Sequence, residues 1–119
     1  MRKTLWVVDD DQEMIHLYVE LFQWVGGLDV VTFTDPAELL VAYDQAPEAA
    51  RPRLVVTDNR MRSMRGTDLA AALRTRTPGL VILLVTGDSG LTCPHASEVI
   101  AKPFGTEEMI SKISSYFSN

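Results

Sequence analysis

The stretch Leu54-Val55-Val56-Thr57-Asp58 is a short apolar run that leads directly into a carboxylate. Similar apolar runs occur before and after Leu54–Val56, at Leu5–Val8, Val30–Phe33, Leu80–Val85 and Val99–Ala101. Runs that are apolar on both faces are typical of parallel strands covered by helices on each side. The sequence therefore predicts five buried, parallel strands.

Helical patterns lie between these runs and after the last of them. The first has one apolar stripe and stops at Gly26-Gly27, and the second opens at Asp35-Pro36. The third runs from about Thr67 to Arg76, and the last starts at Thr106. Such alternation predicts a doubly wound α/β fold, with a parallel sheet between two layers of helices.

Length and composition favour one soluble domain. The chain has 119 residues, of which 46% are hydrophobic, so we expect a single domain over residues 1–119. Eleven basic and sixteen acidic residues give a net charge of −5, which argues against direct binding of nucleic acid or of an anionic membrane. The apolar run Leu5–Val8 is too short for a signal peptide or a membrane span, so a cytoplasmic protein is expected.

Polar residues follow four of the predicted strands. Asp9-Asp10 follow the first, Asp58 the third, Thr86-Gly87 the fourth and Lys102-Pro103 the fifth. In a parallel sheet these ends share one edge, where such folds bind ligands. Clustered carboxylates favour a bound Mg²⁺, and one of them could form an aspartyl-phosphate whose oxygens contact Thr86 and Lys102. The pattern thus predicts a phosphoryl-transfer site that uses Mg²⁺.

Each of these features also has a purely structural interpretation. Asp10 or Asp11 could cap the first helix, and Lys102-Pro103 could form a solvated turn. Their occurrence at four strand ends, in the order that one shared edge requires, favours the functional interpretation.

The chain resembles the receiver domain of two-component response regulators, of the chemotaxis-regulator type, over essentially its whole length. The motifs that carry the resemblance are Leu5-Trp6-Val7-Val8-Asp9-Asp10, Leu54-Val55-Val56-Thr57-Asp58 with Met61 and Gly66, Leu83-Leu84-Val85-Thr86-Gly87, and Lys102-Pro103-Phe104. The resemblance implies a flavodoxin-like sheet of five parallel strands in the order 2-1-3-4-5.

The resemblance also implies a role for each site residue. Asp58 would be the phosphoacceptor, Thr86 the switch hydroxyl and Lys102 the phosphoryl-binding ammonium. Mg²⁺ would be held by Asp9, Asp10, Asp58 and the main-chain carbonyl of Arg60. The phosphoryl group would come from a histidine kinase or a phosphotransfer protein, and phosphorylation would change binding to an output protein or domain. No enzymatic activity is implied beyond Mg²⁺-dependent self-phosphorylation and self-dephosphorylation at Asp58.

The sequence departs from the family pattern at three places. Arg62 stands where proline is usual, in a loop that also contains Arg60 and Arg65. These arginines could all be solvated charges, or Arg60 could contact the phosphoryl oxygens. Val99 stands where an aromatic ring normally reports the phosphorylation state. The connection 86–96 is so short that the helix between the fourth and fifth strands is predicted to be reduced to one turn or lost.

Two alternatives remain at this stage. A phosphorylation-independent protein-binding module would explain Val99 and the short connection. A phosphohydrolase of the haloacid dehalogenase type would also use an aspartyl-phosphate, but Asp9-Asp10-Asp11-Gln12-Glu13 lacks the Thr or Val that its signature requires at the last position.

Overall fold

The computed structural model describes residues 3–118, which form a five-stranded sheet with helices on both faces. The strands are β1 (Lys3–Val8), β2 (Leu28–Phe33), β3 (Leu54–Asp58), β4 (Val81–Thr86) and β5 (Glu98–Ala101). The helices are α1 (Gln12–Phe22), α2 (Pro36–Gln45), α3 (Gly66–Arg76) and α4 (Thr106–Phe117), and a short 3-10 helix spans Glu48–Ala50. All neighbouring strands are parallel, in the order β2-β1-β3-β4-β5. The predicted fold class and strand order are confirmed.

The sheet separates two apolar cores. On one face α1 and α4 pack against alternate residues of the strands, with Tyr18 and Ile113 fully buried. On the other face α2 and α3 cover Trp6, Val55 and their neighbours. Because successive strand residues point to opposite faces, the near-continuous apolar runs of β1, β3 and β4 supply both cores.

The two edge strands are less buried than predicted. Val31 of β2 is 40% exposed and Val99 of β5 is 38% exposed, although their apolar runs predicted burial on both faces. The reason for β2 is its edge position. For β5, the face that carries Val99 also lacks a covering helix.

The connection between β4 and β5 contains no helix, as the short segment predicted. Residues 87–97 form turns and bends, and Leu91, Cys93 and Ala96 pack against the core that contains α2 and α3. A crossover helix would cover this part of the core. Here three small or medium side chains of the segment fill part of that space.

Arg74 of α3 fixes this segment. Its Nε and Nη2 donate to the carbonyl of His95 at 3.0 and 2.7 Å, and its Nη1 donates to the carbonyls of Pro78 and Leu80 at 2.7 and 2.6 Å. A planar guanidinium can satisfy several carbonyls at once, which a lysine ammonium cannot do in the same geometry. Arg74 thus ties the last turn of α3 to the connection that replaces the helix.

Replacing Arg74 should loosen this connection. We expect Arg74→Ala to lower the free energy of unfolding by about 1–3 kcal/mol, because four hydrogen bonds from a charged donor are lost. Amide exchange over residues 87–97 should accelerate in the same variant. Arg74→Lys is the matched control, because it keeps the positive charge but not the planar guanidinium. It should recover less than half of the unfolding free energy that Arg74→Ala loses. Parent-like stability and exchange in Arg74→Ala would contradict the assigned role.

Candidate functional site

The strand register brings the predicted site residues to one edge of the sheet. Asp58 ends β3 and pairs in register with Val85, so that Thr86 at the end of β4 lies one residue further along. The main-chain N–H of Lys102 donates to the carbonyl of Thr86 at 2.7 Å, which fixes the start of the lysine loop against β4. Asp9 and Asp10 follow β1, which lies on the other side of β3.

Asp58 and Lys102 form a close ion pair. Lys102 Nζ lies 2.6 Å from Asp58 Oδ1, and the carboxylate is almost completely buried. Both residues line a cavity of about 250 Å³ together with Arg60, Thr86 and Gly87. A buried carboxylate needs such a partner, because an unpaired charge in this position would be strongly destabilising. The Asp58 carboxylate, the Lys102 ammonium, the Thr86 hydroxyl and Arg60 therefore share one cavity.

Asp9 is a buried carboxylate with an unused oxygen. It is only 2% exposed, and its Oδ1 accepts the main-chain N–H of Asp11 at 2.9 Å. Its Oδ2 has no hydrogen-bond partner within the described part of the chain. The pKa of Asp9 is raised to about 6, mainly by burial and in smaller part by the charges of Asp58 and Asp10, while the Asp11 hydrogen bond and Lys102 act in the opposite direction.

Asp10 faces the loop between β3 and α3. Its Oδ2 accepts the main-chain N–H of Arg62 at 3.0 Å, and Arg62 Nε lies 3.5 Å from the same oxygen. Asp10 also lines a second cavity, of about 520 Å³, with Asn59, Arg60, Met61, Arg62, Arg65, Asp88 and Leu91. Arg60 lines both cavities. The N-cap of α1 is Asp11, which accepts the N–H of Glu13, so Asp9 and Asp10 are not used for capping.

The carboxylates of Asp9, Asp10 and Asp58 could bind a hard cation that needs few protein ligands. Between residues 3 and 118, no three or more His, Cys, Asp or Glu side chains form a group that could hold a metal ion by themselves. Mg²⁺ is commonly bound through one or two carboxylates, with water and phosphate oxygens completing its shell. The unpartnered Oδ2 of Asp9, beside Asp10 and Asp58, is the observation that matches such an ion.

Thr86 is buried, and its hydroxyl is part of a turn. Thr86 Oγ1 accepts the main-chain N–H of Asp88 at 2.9 Å, and Asp88 Oδ1 accepts the N–H of Gly90 at 3.0 Å. A hydroxyl that accepts one hydrogen bond still has its own proton to donate. Thr86 thus connects the cavity with the first residues of the 87–97 connection.

Gly66 allows α3 to begin directly against the end of β3. A Cβ at this position would lie 2.3 Å from the main-chain oxygen of Asp58 and 2.9 Å from Leu84 Cδ1. The N–H of Gly66 donates to the carbonyl of Asn59 at 3.0 Å. A side chain here would clash with the end of β3, so glycine is required for this close approach.

Sequence reasoning missed two residues beside the site. Asn59 is buried, and its Oδ1 accepts the N–H of Thr67 at 3.3 Å at the start of α3. Tyr18 lies on the buried face of α1, where its hydroxyl has no partner within residues 3–118 and its ring stacks on Phe104. A polar residue directly after a buried strand was a signal for Asn59, whereas nothing in the sequence distinguished Tyr18 from its apolar neighbours.

Asp9 should make the metal-free protein less stable as the pH rises. Its pKa in the folded state, about 6, lies above the unfolded value of 3.8, so the folded state binds the proton more tightly. The stabilisation from this proton is complete below pH 3.8 and is lost as the pH rises through 6. It amounts to about 3 kcal/mol.

We therefore expect Asp9→Asn, in the presence of a chelator, to be more stable than the parent at pH 7. The difference in unfolding free energy between the two should shrink towards pH 4. Urea unfolding at several pH values measures it, and a difference that is independent of pH would contradict the assignment. The pKa values of Asp44 and Glu98 are lowered by Arg76 and Lys112, so these two groups change the stability with pH in the opposite direction to Asp9. Because both proteins contain them, their contributions cancel when the unfolding free energies of Asp9→Asn and the parent are subtracted.

Comparison with known proteins agrees with this geometry. Residues 5–114 match the family model described as the response regulator receiver domain. The chain is 30% identical to the DNA-binding transcriptional regulator NtrC of Escherichia coli over 118 residues, covering 94% of this chain and 24% of NtrC. It is 29% identical to the probable transcriptional regulatory protein TcrX of Mycobacterium tuberculosis over 117 residues, covering 92% of this chain and 47% of TcrX. The chain thus spans a quarter to a half of the relatives that it matches.

Solved structures show the same architecture. The response regulator TrrA of Thermotoga maritima, in complex with Mg²⁺-BeF, has a TM-score of 0.84 and 25% identity, with 97% of this chain and 99% of that chain covered. A CheY-like receiver domain protein of Methanospirillum hungatei has a TM-score of 0.83 and 22% identity, with 97% and 93% covered. No helix among residues 3–118 is long and apolar enough to cross a membrane. The chain belongs to the receiver domain family of two-component response regulators.

Proposed function

We propose that this receiver domain is an active phosphoacceptor in which Asp58 takes a phosphoryl group from a phosphohistidine. The donor would be a histidine kinase or a phosphotransfer protein, and the product would alter binding to an output protein or domain. The observation that carries this proposal is the 2.6 Å contact between Lys102 Nζ and the buried Asp58, in a cavity that Thr86 also lines.

The chemistry follows from the groups in this cavity. An Asp58 carboxylate oxygen attacks phosphorus, the P–N bond of the phosphohistidine breaks, and the electron pair leaves with the imidazole of the donor. The phosphoryl oxygens then accept hydrogen bonds from Lys102 Nζ and from the Thr86 hydroxyl. Preorganised donors at these positions stabilise charge where it develops.

We assign Mg²⁺ to Asp9, Asp10 and Asp58, which would hold it only together with the main-chain carbonyl of Arg60 and with water or phosphoryl oxygens. When bound, the ion offsets the repulsion between these carboxylates and the incoming phosphoryl oxygens. The partnerless Oδ2 of Asp9 supports this assignment, because a buried, unpaired carboxylate oxygen is costly without a cation. We propose no further enzymatic activity beyond Mg²⁺-dependent self-phosphorylation and self-dephosphorylation at Asp58.

The route from Asp58 to an output partner would run through the connection between β4 and β5. Thr86 accepts the N–H of Asp88, so a change at the hydroxyl acts directly on the first turn of this connection. Val99 is half-exposed and has no ring whose rotation could report the phosphorylation state. We therefore place the responsive surface at residues 87–97.

A phosphorylation-independent binding module is the second candidate. The valine at position 99 and the missing helix favour it, since both remove usual parts of the response. Against it stands the cost of burying Asp9 and Asp58 at one edge of the sheet, which a domain without the chemistry has no physical reason to retain. Membership of the receiver family gives no support to the phosphohydrolase alternative.

Treatment with a small phosphodonor distinguishes the two candidates. We expect the protein to gain the mass of one phosphoryl group on incubation with Mg²⁺ and acetyl phosphate. Asp58→Asn should gain none, because the amide cannot act as the nucleophile. Intact-protein mass spectrometry reads both results, and an unmodified parent protein would favour the phosphorylation-independent module.

Arg60 should prolong the life of the phosphorylated state. It lines the acceptor cavity, where its guanidinium can hydrogen-bond a phosphoryl oxygen and obstruct an attacking water. We expect Arg60→Asn to lose phosphate roughly fivefold faster, the rate equivalent of about 1 kcal/mol. Arg65→Asn is the matched control, because Arg65 lines only the larger cavity of the two. Equal dephosphorylation rates in the parent and Arg60→Asn would leave Arg60 without this role.

A further inference from the structure

Arg62 makes two contacts with one oxygen of a proposed Mg²⁺ ligand. Its main-chain N–H donates to Asp10 Oδ2 at 3.0 Å, and its Nε lies 3.5 Å from the same atom. The first contact is impossible for proline, the usual residue at this position in the family, because proline has no main-chain N–H. The replacement of proline by arginine therefore adds both a hydrogen bond and a positive charge at Asp10.

The two contacts have opposite consequences for a bound cation. A hydrogen bond from the main chain holds a carboxylate in a fixed orientation, and such outer contacts normally support metal binding. A guanidinium on the same oxygen instead occupies the position of a cation and repels a dication. The Arg62 side chain is 90% exposed, so this repulsion is modest and sensitive to salt.

We propose that the side chain of Arg62 sets the Mg²⁺ affinity of the site by competing with the ion for Oδ2 of Asp10. The main-chain N–H of the same residue keeps the carboxylate turned towards the loop between β3 and α3. This inference rests on the proposed function, because it requires Asp10 to be a Mg²⁺ ligand.

Because Arg62 and Mg²⁺ compete for Asp10 Oδ2, metal binding would also change the net charge along the lining of the larger cavity. The 520 Å³ cavity is lined by Arg60, Arg62 and Arg65, and by Asp10 and Asp88. If Mg²⁺ were held at Oδ2 of Asp10, the charge of Arg62 would no longer be offset by this carboxylate. The cavity would then be more positive where an anionic phosphodonor must approach.

Calorimetric titration of the metal-free protein with Mg²⁺ tests the competition. We expect Arg62→Ala to bind Mg²⁺ about two- to fivefold more tightly than the parent at low ionic strength. In about 0.5 M salt the gain should largely disappear, because the repulsion is screened. Arg65→Ala is the matched control, since it removes a charge from the same loop and cavity outside the contact with Asp10. Its affinity should stay within about twofold of the parent.

Arg62→Pro separates the main-chain contact from the side chain. This variant restores the usual residue of the family and removes the N–H as well as the guanidinium, so it should bind Mg²⁺ more weakly than Arg62→Ala. The amide resonance of Arg62 in the parent should also shift as Mg²⁺ saturates the site.

Each remaining result overturns part of the account. Equal affinities of the parent, Arg62→Ala and Arg65→Ala would refute the competition while leaving the Mg²⁺ site intact. Equal affinities of Arg62→Ala and Arg62→Pro would refute the role of the N–H. An absence of Mg²⁺ binding in the parent and in all variants would overturn the proposed Mg²⁺ site itself, and the inference with it.

Discussion

The contact between Lys102 and Asp58 is the interaction on which the site depends. It joins the loop after β5 to the end of β3, across the intervening strand β4. Asp9 and Asp58 are both buried in a chain of net charge −5, so positive charge at this edge of the sheet is needed to keep the carboxylates together. One ammonium partly offsets their repulsion. Burial is the main reason that the pKa of Asp9 is raised to about 6, and the neighbouring carboxylates Asp58 and Asp10 add to it.

The connection between β4 and β5 gives this receiver domain an unusual surface. Where a crossover helix would lie, the structure has a turn-rich segment whose position is fixed by Arg74 through the carbonyl of His95. Thr86 contacts the first turn of that segment through Asp88. The segment therefore begins beside the hydroxyl to which we assign phosphoryl binding and is held to α3 through His95, which is why we propose it as the part of the molecule that responds to chemistry at Asp58.

The order of the elements and the residues at the strand ends were predictable from sequence, because both follow from local periodicity. A buried parallel strand is a continuous apolar run, and the residue after it must lie at the shared edge of the sheet. The loss of the crossover helix was predictable from the length of the segment alone. The exposure of Val31 and Val99 does not follow from their apolar runs, although the strand order 2-1-3-4-5 implied by the resemblance places both strands at the edges of the sheet.

Contacts between distant residues were beyond sequence reasoning. The four hydrogen bonds of Arg74 and the two contacts of Arg62 with Asp10 depend on the conformation of neighbouring loops, and an arginine in a helix or a loop is ordinarily a solvated charge. The unpartnered oxygen of Asp9 likewise required coordinates, because the sequence does not show which of the three adjacent carboxylates Asp9, Asp10 and Asp11 is buried. The structure separates them into a buried carboxylate, a carboxylate held by the loop and a helix cap.

A crystal structure grown with Mg²⁺ and fluoroberyllate, a mimic of the phosphoryl group, tests the central claim most directly. We expect the beryllium group on Asp58, with its fluorines contacted by Lys102 and Thr86 and with Mg²⁺ beside Asp9 and Asp10. A structure from saturating ligand in which Asp58 carries no such group, and Lys102 still contacts the bare carboxylate, would contradict it.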